Sequence, residues 1–257
     1  MNIIKEANKL GFERNGHLGY VIFESLPNID YQAVASHIVS MFPSTIEVSD
    51  FKPFKQHLHT SFMRKLFGLS DRNGVLLSIT HPNRSEGLAS NCCRSQYWDH
   101  VFDFVQILED EFLKQKKHFG LILLNEALGH RYGDLYTLSE DKEDKEEYRS
   151  RMEDHYWQSF RLAKDIKCVK QIYVVWYWLG CYYYKNGEND QVKQNLVRFL
   201  NNFGKYQDHA RVVPVEKIKI AFKILRNICS IEEYNVHVTV NRKRSRGKYH
   251  QTMKNLR

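Results

Sequence analysis

The stretch from Gln171 to Tyr184 constrains the fold of this chain more than any other part of the sequence. It reads QIYVVWYWLGCYYY and holds two of the four Trp and five of the fifteen Tyr, with no charged side chain. A helix that crosses a bilayer needs about 20 residues, so this stretch is too short to be one. The sequence therefore predicts a helix that is buried on nearly all sides.

A second helix is predicted directly after this stretch. Lys185, Asn186 and Gly187 form a helix stop and turn, and apolar residues then recur at a helical spacing. These positions are Val192, Leu196, Phe199, Leu200 and Phe203. Two helices joined by so short a turn make an antiparallel helical hairpin.

The hairpin resembles a tetratricopeptide repeat. Trp176, Leu179, Gly180 and Tyr183 stand at the spacing of that family's W-x₂-L-G-x₂-Y pattern. The resemblance implies that Gly180 lies where the two helices approach closely. Val192, Phe199 and Gly204 depart from the family pattern, and no second copy lies 34 residues away on either side. The resemblance thus implies one tetratricopeptide-like hairpin within a larger helical domain.

Outside the hairpin, the patterns predict an α+β fold with a small N-terminal mixed sheet and two helices. The helices are predicted at residues 31–41, capped by the segment from Asn28 to Asp30, and at residues 53–67. Short β-rich runs predict strands at residues 19–24, 44–48, 74–80 and 236–240. The last strand is predicted to return to the N-terminal sheet, and pairing with another chain is the alternative. Helical periodicity begins at Gln96, continues in a helix over 121–128, and ends in a helix that Pro214 opens. Residues 133–147 are either an exposed linker or the first turns of a helix that runs to Ile166.

These patterns divide the chain into four parts. Residues 1–95 form a small α+β domain, 96–233 a helical domain, 234–240 the returning strand, and 241–257 a basic flexible tail. Five Cys without a C-x-x-C motif favour a reduced, cytoplasmic setting. The N-terminal residues have no apolar run of signal-peptide length, so no export is expected.

The positive charge of the chain is concentrated at its C-terminal end. The net charge is +8, yet the residues after Glu233 carry seven cations and no acid, which leaves +1 for residues 1–233. A cationic segment of this kind neutralises phosphates without reading sequence. The residues predicted to bind DNA or RNA are Arg242, Lys243, Arg244, Arg246, Lys248 and Tyr249. Docking to an acidic protein or an anionic membrane, and a purely solubilising role, are the alternatives.

The aromatic stretch supplies the second binding prediction. It has more aromatic side chains than one buried helix face can hold, so Tyr173, Trp176, Tyr177 and Tyr184 are predicted to contact a protein partner. The alternative is that the stretch is simply a central helix.

Catalytic and metal-binding patterns are weak. No G-x-S-x-G, Walker or Rossmann glycine motif occurs. The closest His pair, His57 and His59, falls on a predicted helix, where residues two apart point to different sides. Asp134 with Glu140 and Lys142 matches a nuclease string, but this string lies in a charge run with no predicted strand. No metal or other cofactor is therefore predicted.

The function expected from the sequence is that of a non-catalytic intracellular binding protein. It engages an unidentified protein through its helical domain and nucleic acid through its basic tail. The alternatives are a nuclease-like enzyme and a protein-directed inhibitor of the immunity type. Oligomeric state is left open.

Overall fold

The computed structural model describes residues 30–40, 42, 44, 95–205, 215–230 and 233–234. These residues contain seven helices. In chain order they are α1 (Tyr31–Ser40), α2 (Ser95–Lys114), α3 (His118–Leu138), α4 (Lys142–Asp165), α5 (Val169–Lys185), α6 (Asn189–Lys205) and α7 (Val215–Ile228).

The predicted α+β fold is wrong. Helices take up 87% of the described residues, and these residues include no strand or sheet. Apart from Ser44, which lies in a bend, the predicted strands fall outside the described residues, as does the predicted helix at 53–67. Each strand prediction rests on a run of only five to seven residues. Periodicity over so short a run does not separate a strand from a buried helix.

Contacts divide the chain into two compact units, Met1–Leu162 and Ala163–Arg257. The division falls in the last turn of α4, whereas the predicted domain boundary falls between residues 95 and 96. The predicted domains therefore stay a prediction. Within the first unit, Gln32 Nε2 on α1 donates a hydrogen bond of 2.9 Å to Glu111 Oε2 on α2.

In the first unit, α1 and α2 pack together by their apolar faces. Asp30, the last residue of the predicted capping segment, caps α1, since its Oδ1 accepts a 3.0 Å hydrogen bond from the Ala33 N–H. Phe42, just after α1, meets Phe112 of α2 edge to face at 5.1 Å between ring centroids. Lys117 Nζ donates a 2.6 Å hydrogen bond to the Phe42 carbonyl. This bond fixes the turn between α2 and α3 against the end of α1.

The helix α3 is the centre of the first unit. Every residue from Phe119 to Asp134 is buried. The sequence predicts its apolar start but ends it at Leu128, ten residues before the observed end at Leu138. The reason is that the C-terminal half of α3 is polar in sequence and still buried, so that it carries no amphipathic signal.

In the second unit, α5 and α6 form the predicted antiparallel hairpin. The Tyr177 and Phe199 rings lie 5.4 Å apart, and Gly180 faces Leu196. A Cβ atom on Gly180 would lie 2.4 Å from Leu196 Cδ2, so only glycine allows this approach. The close crossing inferred from the repeat resemblance is therefore present. The turn is a Schellman motif, in which Glu188 N–H bonds to the Tyr183 carbonyl and Gly187 adopts a φ of +76°.

The helix α7 covers the hairpin of the second unit with its apolar face. The helical spacing predicts an inner face of Ile218, Phe222, Leu225 and Ile228. The first three are buried, whereas Ile228 is partly exposed. Lys217 Nζ lies 3.9 Å from the centroid of the Trp178 ring and 4.4 Å from that of Tyr177. Such cation–π contacts contribute about 0.5–2 kcal/mol each.

Candidate functional site

The residues predicted to bind nucleic acid lie outside the described residues. They are Arg242, Lys243, Arg244, Arg246, Lys248 and Tyr249. Their role in binding therefore stays a prediction that rests on charge and sequence.

The four aromatic residues predicted to contact a partner occupy two different environments. Tyr173 and Tyr177 are buried, with 2% and 4% of their surface exposed. Trp176 and Tyr184 are partly exposed. The Tyr184 hydroxyl accepts a 3.3 Å hydrogen bond from Asn227 Nδ2 on α7. Trp176 and Tyr184 can thus touch another molecule without a change in structure, whereas Tyr173 and Tyr177 are part of the core.

Burial also sets the chemistry of the Tyr177 and Cys181 pair on α5. Loss of hydration raises the pKa of Tyr177, and the hydrogen bond with the Cys181 thiol raises it further. Burial raises the pKa of Cys181 to about 11, although nearby Lys217 opposes the shift. Since the thiolate is the reactive form of cysteine, Cys181 is an inert core thiol at neutral pH.

The solvent-facing side of α7 carries a row of cations. Lys219, Lys223 and Arg226 are exposed and follow one another at intervals of four and three residues. They therefore share one helix face and extend over about 10 Å of helix. Among the described residues, none forms an ion pair with any of the three. We call Lys219, Lys223 and Arg226 the α7 cationic stripe.

A small ordered motif fixes the chain as it leaves α7. Glu233 Oε2 accepts a 3.0 Å hydrogen bond from the Ser230 N–H, and Ser230 Oγ accepts one of 3.2 Å from the Glu233 N–H. This reciprocal pair is a capping box. Lys193 Nζ of α6 lies 3.3 Å from Glu233 Oε1. Glu233 is therefore held against the second unit at the end of α7.

The first unit contains a group of buried polar residues that the sequence analysis did not find. On α3 they are Asn125, Glu126, His130, Arg131 and Asp134, each at most 8% exposed. Burying such groups costs free energy unless they are paired. The sequence indicates this group only by the spacing of Glu126, His130 and Asp134, which recur every four residues on an otherwise apolar helix.

One part of this group joins α3 to α4 through a histidine and a tyrosine. Tyr156 Oη lies 2.7 Å from His130 Nδ1, and both residues are completely buried. The other ring nitrogen, His130 Nε2, lies 3.6 Å from Glu126 Oε1. That distance is longer than a hydrogen bond, so the contact with Tyr156 is what orients the His130 ring. This contact fixes the register between the two helices.

A second part is centred on His155 of α4. Its Nδ1 donates a 3.0 Å hydrogen bond to Asn125 Oδ1, and its ring stacks on Tyr132 at 5.4 Å. Arg151 Nη1 donates a 3.2 Å hydrogen bond to the Tyr132 hydroxyl. Burial lowers the pKa of His155 to about 4; Asp154 opposes this shift and Arg151 adds to it. His155 is therefore neutral at pH 7.

The acidic residues considered for nuclease chemistry do not converge. Asp134 is buried in α3, whereas Glu140 and Lys142 are exposed at the start of α4. Glu111 of α2, which is not part of that string, is also buried, and a 2.6 Å hydrogen bond from Gln115 is the main cause that lowers the pKa of its carboxyl. Within the described ranges, no three His, Cys, Asp or Glu side chains are grouped as a metal site. His57 and His59 lie outside those ranges.

Two further findings bear on identity. None of the helices in the described part of the chain is long and apolar enough to cross a membrane. The chain matches no protein-family model, no curated protein and no solved structure.

Proposed function

We propose that this protein is a non-catalytic binding protein that contacts nucleic acid, without sequence preference, through its basic segment at residues 241–257. The observation that carries the proposal is the separation of charge along the chain. Seven of the eight net positive charges follow Glu233, and no acidic residue lies among them. Lys and Arg that neutralise phosphates release counterions, which gives affinity for any nucleic-acid backbone.

The second part of the proposal is a protein partner on the helical hairpin. Of the aromatic residues predicted for this role, Trp176 and Tyr184 are the two with accessible surface. Trp and Tyr are enriched among the residues that dominate binding energy at protein interfaces. The proposed partner contact is therefore centred on these two residues.

The nucleic-acid part is tested by changing the charge of the basic segment in the full-length chain. Arg242, Lys243, Arg244, Arg246 and Lys248 are replaced together by Gln, and binding to mixed-sequence DNA and RNA is measured by fluorescence anisotropy over a range of salt. Five phosphate contacts contribute about −4 to −5 to the slope of log affinity against log salt on duplex DNA. The variant should lose that contribution and bind about 100-fold more weakly at low salt.

The test has a clear contrary result. Unchanged affinity and slope in the Gln variant would refute a role for the basic segment. Circular dichroism should show the same helix content in both proteins, so that a loss of binding is not a loss of fold.

The protein-partner part requires a separate measurement. The wild-type chain and a Trp176→Ala/Tyr184→Ala variant are used as bait after nuclease treatment, which removes proteins bridged by nucleic acid. The expected result is a protein that the wild type retains at stoichiometric yield and that the variant loses. Equal recovery by both baits would refute the contact at Trp176 and Tyr184.

A further inference from the structure

We propose that the α7 cationic stripe is a second phosphate-binding surface, on the folded body, for the nucleic acid that the basic segment captures. This inference rests on the proposed function but places binding residues on a helix that the sequence analysis treated only as packing. The net charge of residues 1–233 is close to zero, but their charges can still be unevenly distributed over the surface.

The spacing of the stripe fits a nucleic-acid backbone. Lys219 and Arg226 are separated by about 10 Å along the helix axis. One strand of duplex DNA carries one phosphate per about 3.4 Å of axis. The stripe can therefore lie along about three successive phosphates of one strand. The length of Lys and Arg side chains allows each cation to reach its own phosphate.

No acidic residue lies within the stripe, and the next acids along the chain are Glu232 and Glu233. From Lys217 to Ile231 the sequence contains no acidic residue, and α7 has a net charge of +3 with Glu216 in its first turn included. Glu233, at the other end, is occupied: the Ser230 N–H and Lys193 both bond to it, and these contacts lower the pKa of its carboxyl. The exposed cations of α7 are therefore available to an external anion.

A membrane surface fits this helix less well than nucleic acid does. An amphipathic helix that binds membranes inserts its apolar face into the lipid. The apolar face of α7 is already packed in the second unit, where Ile218, Ala221 and Phe222 are buried. Among the side chains of α7 that the structure describes, from Glu216 onward, Ile220 is the one large apolar side chain that is exposed, at 37%. Insertion would require α7 to leave its own unit.

An acidic protein is also a poorer fit. Protein interfaces are depleted of Lys in their buried centres and enriched in aromatic residues. Two of the three stripe residues are Lys, and the exposed face between them offers no aromatic side chain. Point charges on flexible stems suit phosphates that are contacted without regard to sequence.

The chain connects the stripe directly to the basic segment. Arg226 lies seven residues before Glu233, and the capping box at Ser230 holds this connection against α6 and α7. Six residues separate Tyr234 from the start of the basic segment, so chain length alone keeps that start within about 25 Å of Tyr234. A strand held by both would gain from two linked contacts, because the second is made at a high effective concentration.

The test replaces Lys219, Lys223 and Arg226 together by Gln in the full-length chain. The matched control removes three other exposed cations, Arg161, Lys164 and Lys167, also by Gln. The two variants have the same net charge, so long-range attraction is reduced equally in both. Binding to mixed-sequence duplex DNA and RNA is measured against salt, together with helix content and thermal unfolding. Binding to phosphatidylcholine vesicles containing phosphatidylserine is measured in parallel.

We expect the stripe variant to bind nucleic acid at least tenfold more weakly than the control at low salt. Its salt slope should be less negative by about 2–3, which corresponds to the loss of three phosphate contacts. Equal affinity and slope in the two variants would overturn the inference. So would a stripe variant that loses vesicle binding and keeps nucleic-acid binding.

The result is separable from that for the basic segment. If the variant of residues 242–248 is weak and the stripe variant matches its control, the proposed function stands and the stripe inference fails. If only the stripe variant is weak, the body binds phosphate and the role of the basic segment is refuted. A wild-type chain that binds neither DNA nor RNA would overturn both.

Discussion

The approach of Gly180 to Leu196 gives the sharpest test of the hairpin, because one substitution should change sign with its background. In the wild-type chain, a methyl group on Gly180 would lie 2.4 Å from Leu196 Cδ2 and 2.6 Å from Cγ. Leu196 is completely buried and has little room to move. Overpacking of this kind costs about 1–3 kcal/mol. Replacing Gly by Ala within a helix stabilises the helix by about 1 kcal/mol. Gly180→Ala should thus destabilise the chain by up to about 2 kcal/mol.

The same substitution in a Leu196→Ala background should be stabilising. Leu196→Ala alone should cost about 2–5 kcal/mol, because it opens a cavity in the core. It also removes the atoms that an added methyl would meet, so Gly180→Ala should then gain about 1 kcal/mol from helix propensity alone. The coupling energy between the two sites should be about 1–3 kcal/mol. Urea unfolding followed by Trp fluorescence measures it, since Trp176 and Trp178 lie on α5.

Leu200 provides the matched control. It is also a completely buried leucine of α6, but the three atoms nearest to a methyl on Gly180 all belong to Leu196. Gly180→Ala and Leu200→Ala should couple by less than about 0.5 kcal/mol. If Gly180→Ala has the same effect in all three backgrounds, the two helices do not cross closely at this glycine.

Three further substitutions test the first unit and the helix ends. Tyr156→Phe should destabilise the chain by about 1–3 kcal/mol, because it removes the buried hydrogen bond to His130; Tyr148→Phe, at a partly exposed tyrosine, should change stability by less than about 0.5 kcal/mol. The pKa of His155 is lowered to about 4, so its neutral form adds stability that is complete above pH 6.5 and is lost as the pH falls towards 4. In the wild type, the free energy of unfolding should fall by up to about 3 kcal/mol over this pH range, and His155→Gln should flatten this part of the stability–pH profile. An unchanged slope would refute the assignment. Lys167 has a φ of +57°, so Lys167→Gly should raise the midpoint of urea unfolding by relieving about 1 kcal/mol of strain, whereas a lower midpoint would contradict it.

The sequence was a good guide to the helices that have one apolar face. In α6, Val192, Leu196, Phe199 and Leu200 were predicted from their spacing, and all four are completely buried. In α2, the helical spacing predicts one face that includes Val105, Leu108, Phe112 and Leu113, and the first three are buried. The prediction is wrong at Leu113, which is 54% exposed, because periodicity does not define the edges of an apolar face.

The sequence failed where polar residues are buried. In α3, Glu126, His130 and Asp134 have the types expected on a surface, and their partners come from distant parts of the chain. The His130 contact to Tyr156 of α4 illustrates this, since it joins residues 26 apart. Residue type and spacing do not encode such pairings, so both the length of α3 and its polar group were missed. The α7 cationic stripe was missed for a related reason, because net charge hides an uneven distribution.

Each unit has one helix that its neighbours cover on nearly every side, α3 in the first and α5 in the second. Amide hydrogens on such a helix exchange with solvent only when the surrounding unit opens. The exchange rates of the slowest amides of α3 and α5 therefore report separately on the opening of the two units. A ligand that binds only the native form of one unit slows amide exchange in that unit alone, by an amount set by its affinity. Phosphate bound along α7 should then protect α5, and any change at α3 would measure how strongly the two units are coupled.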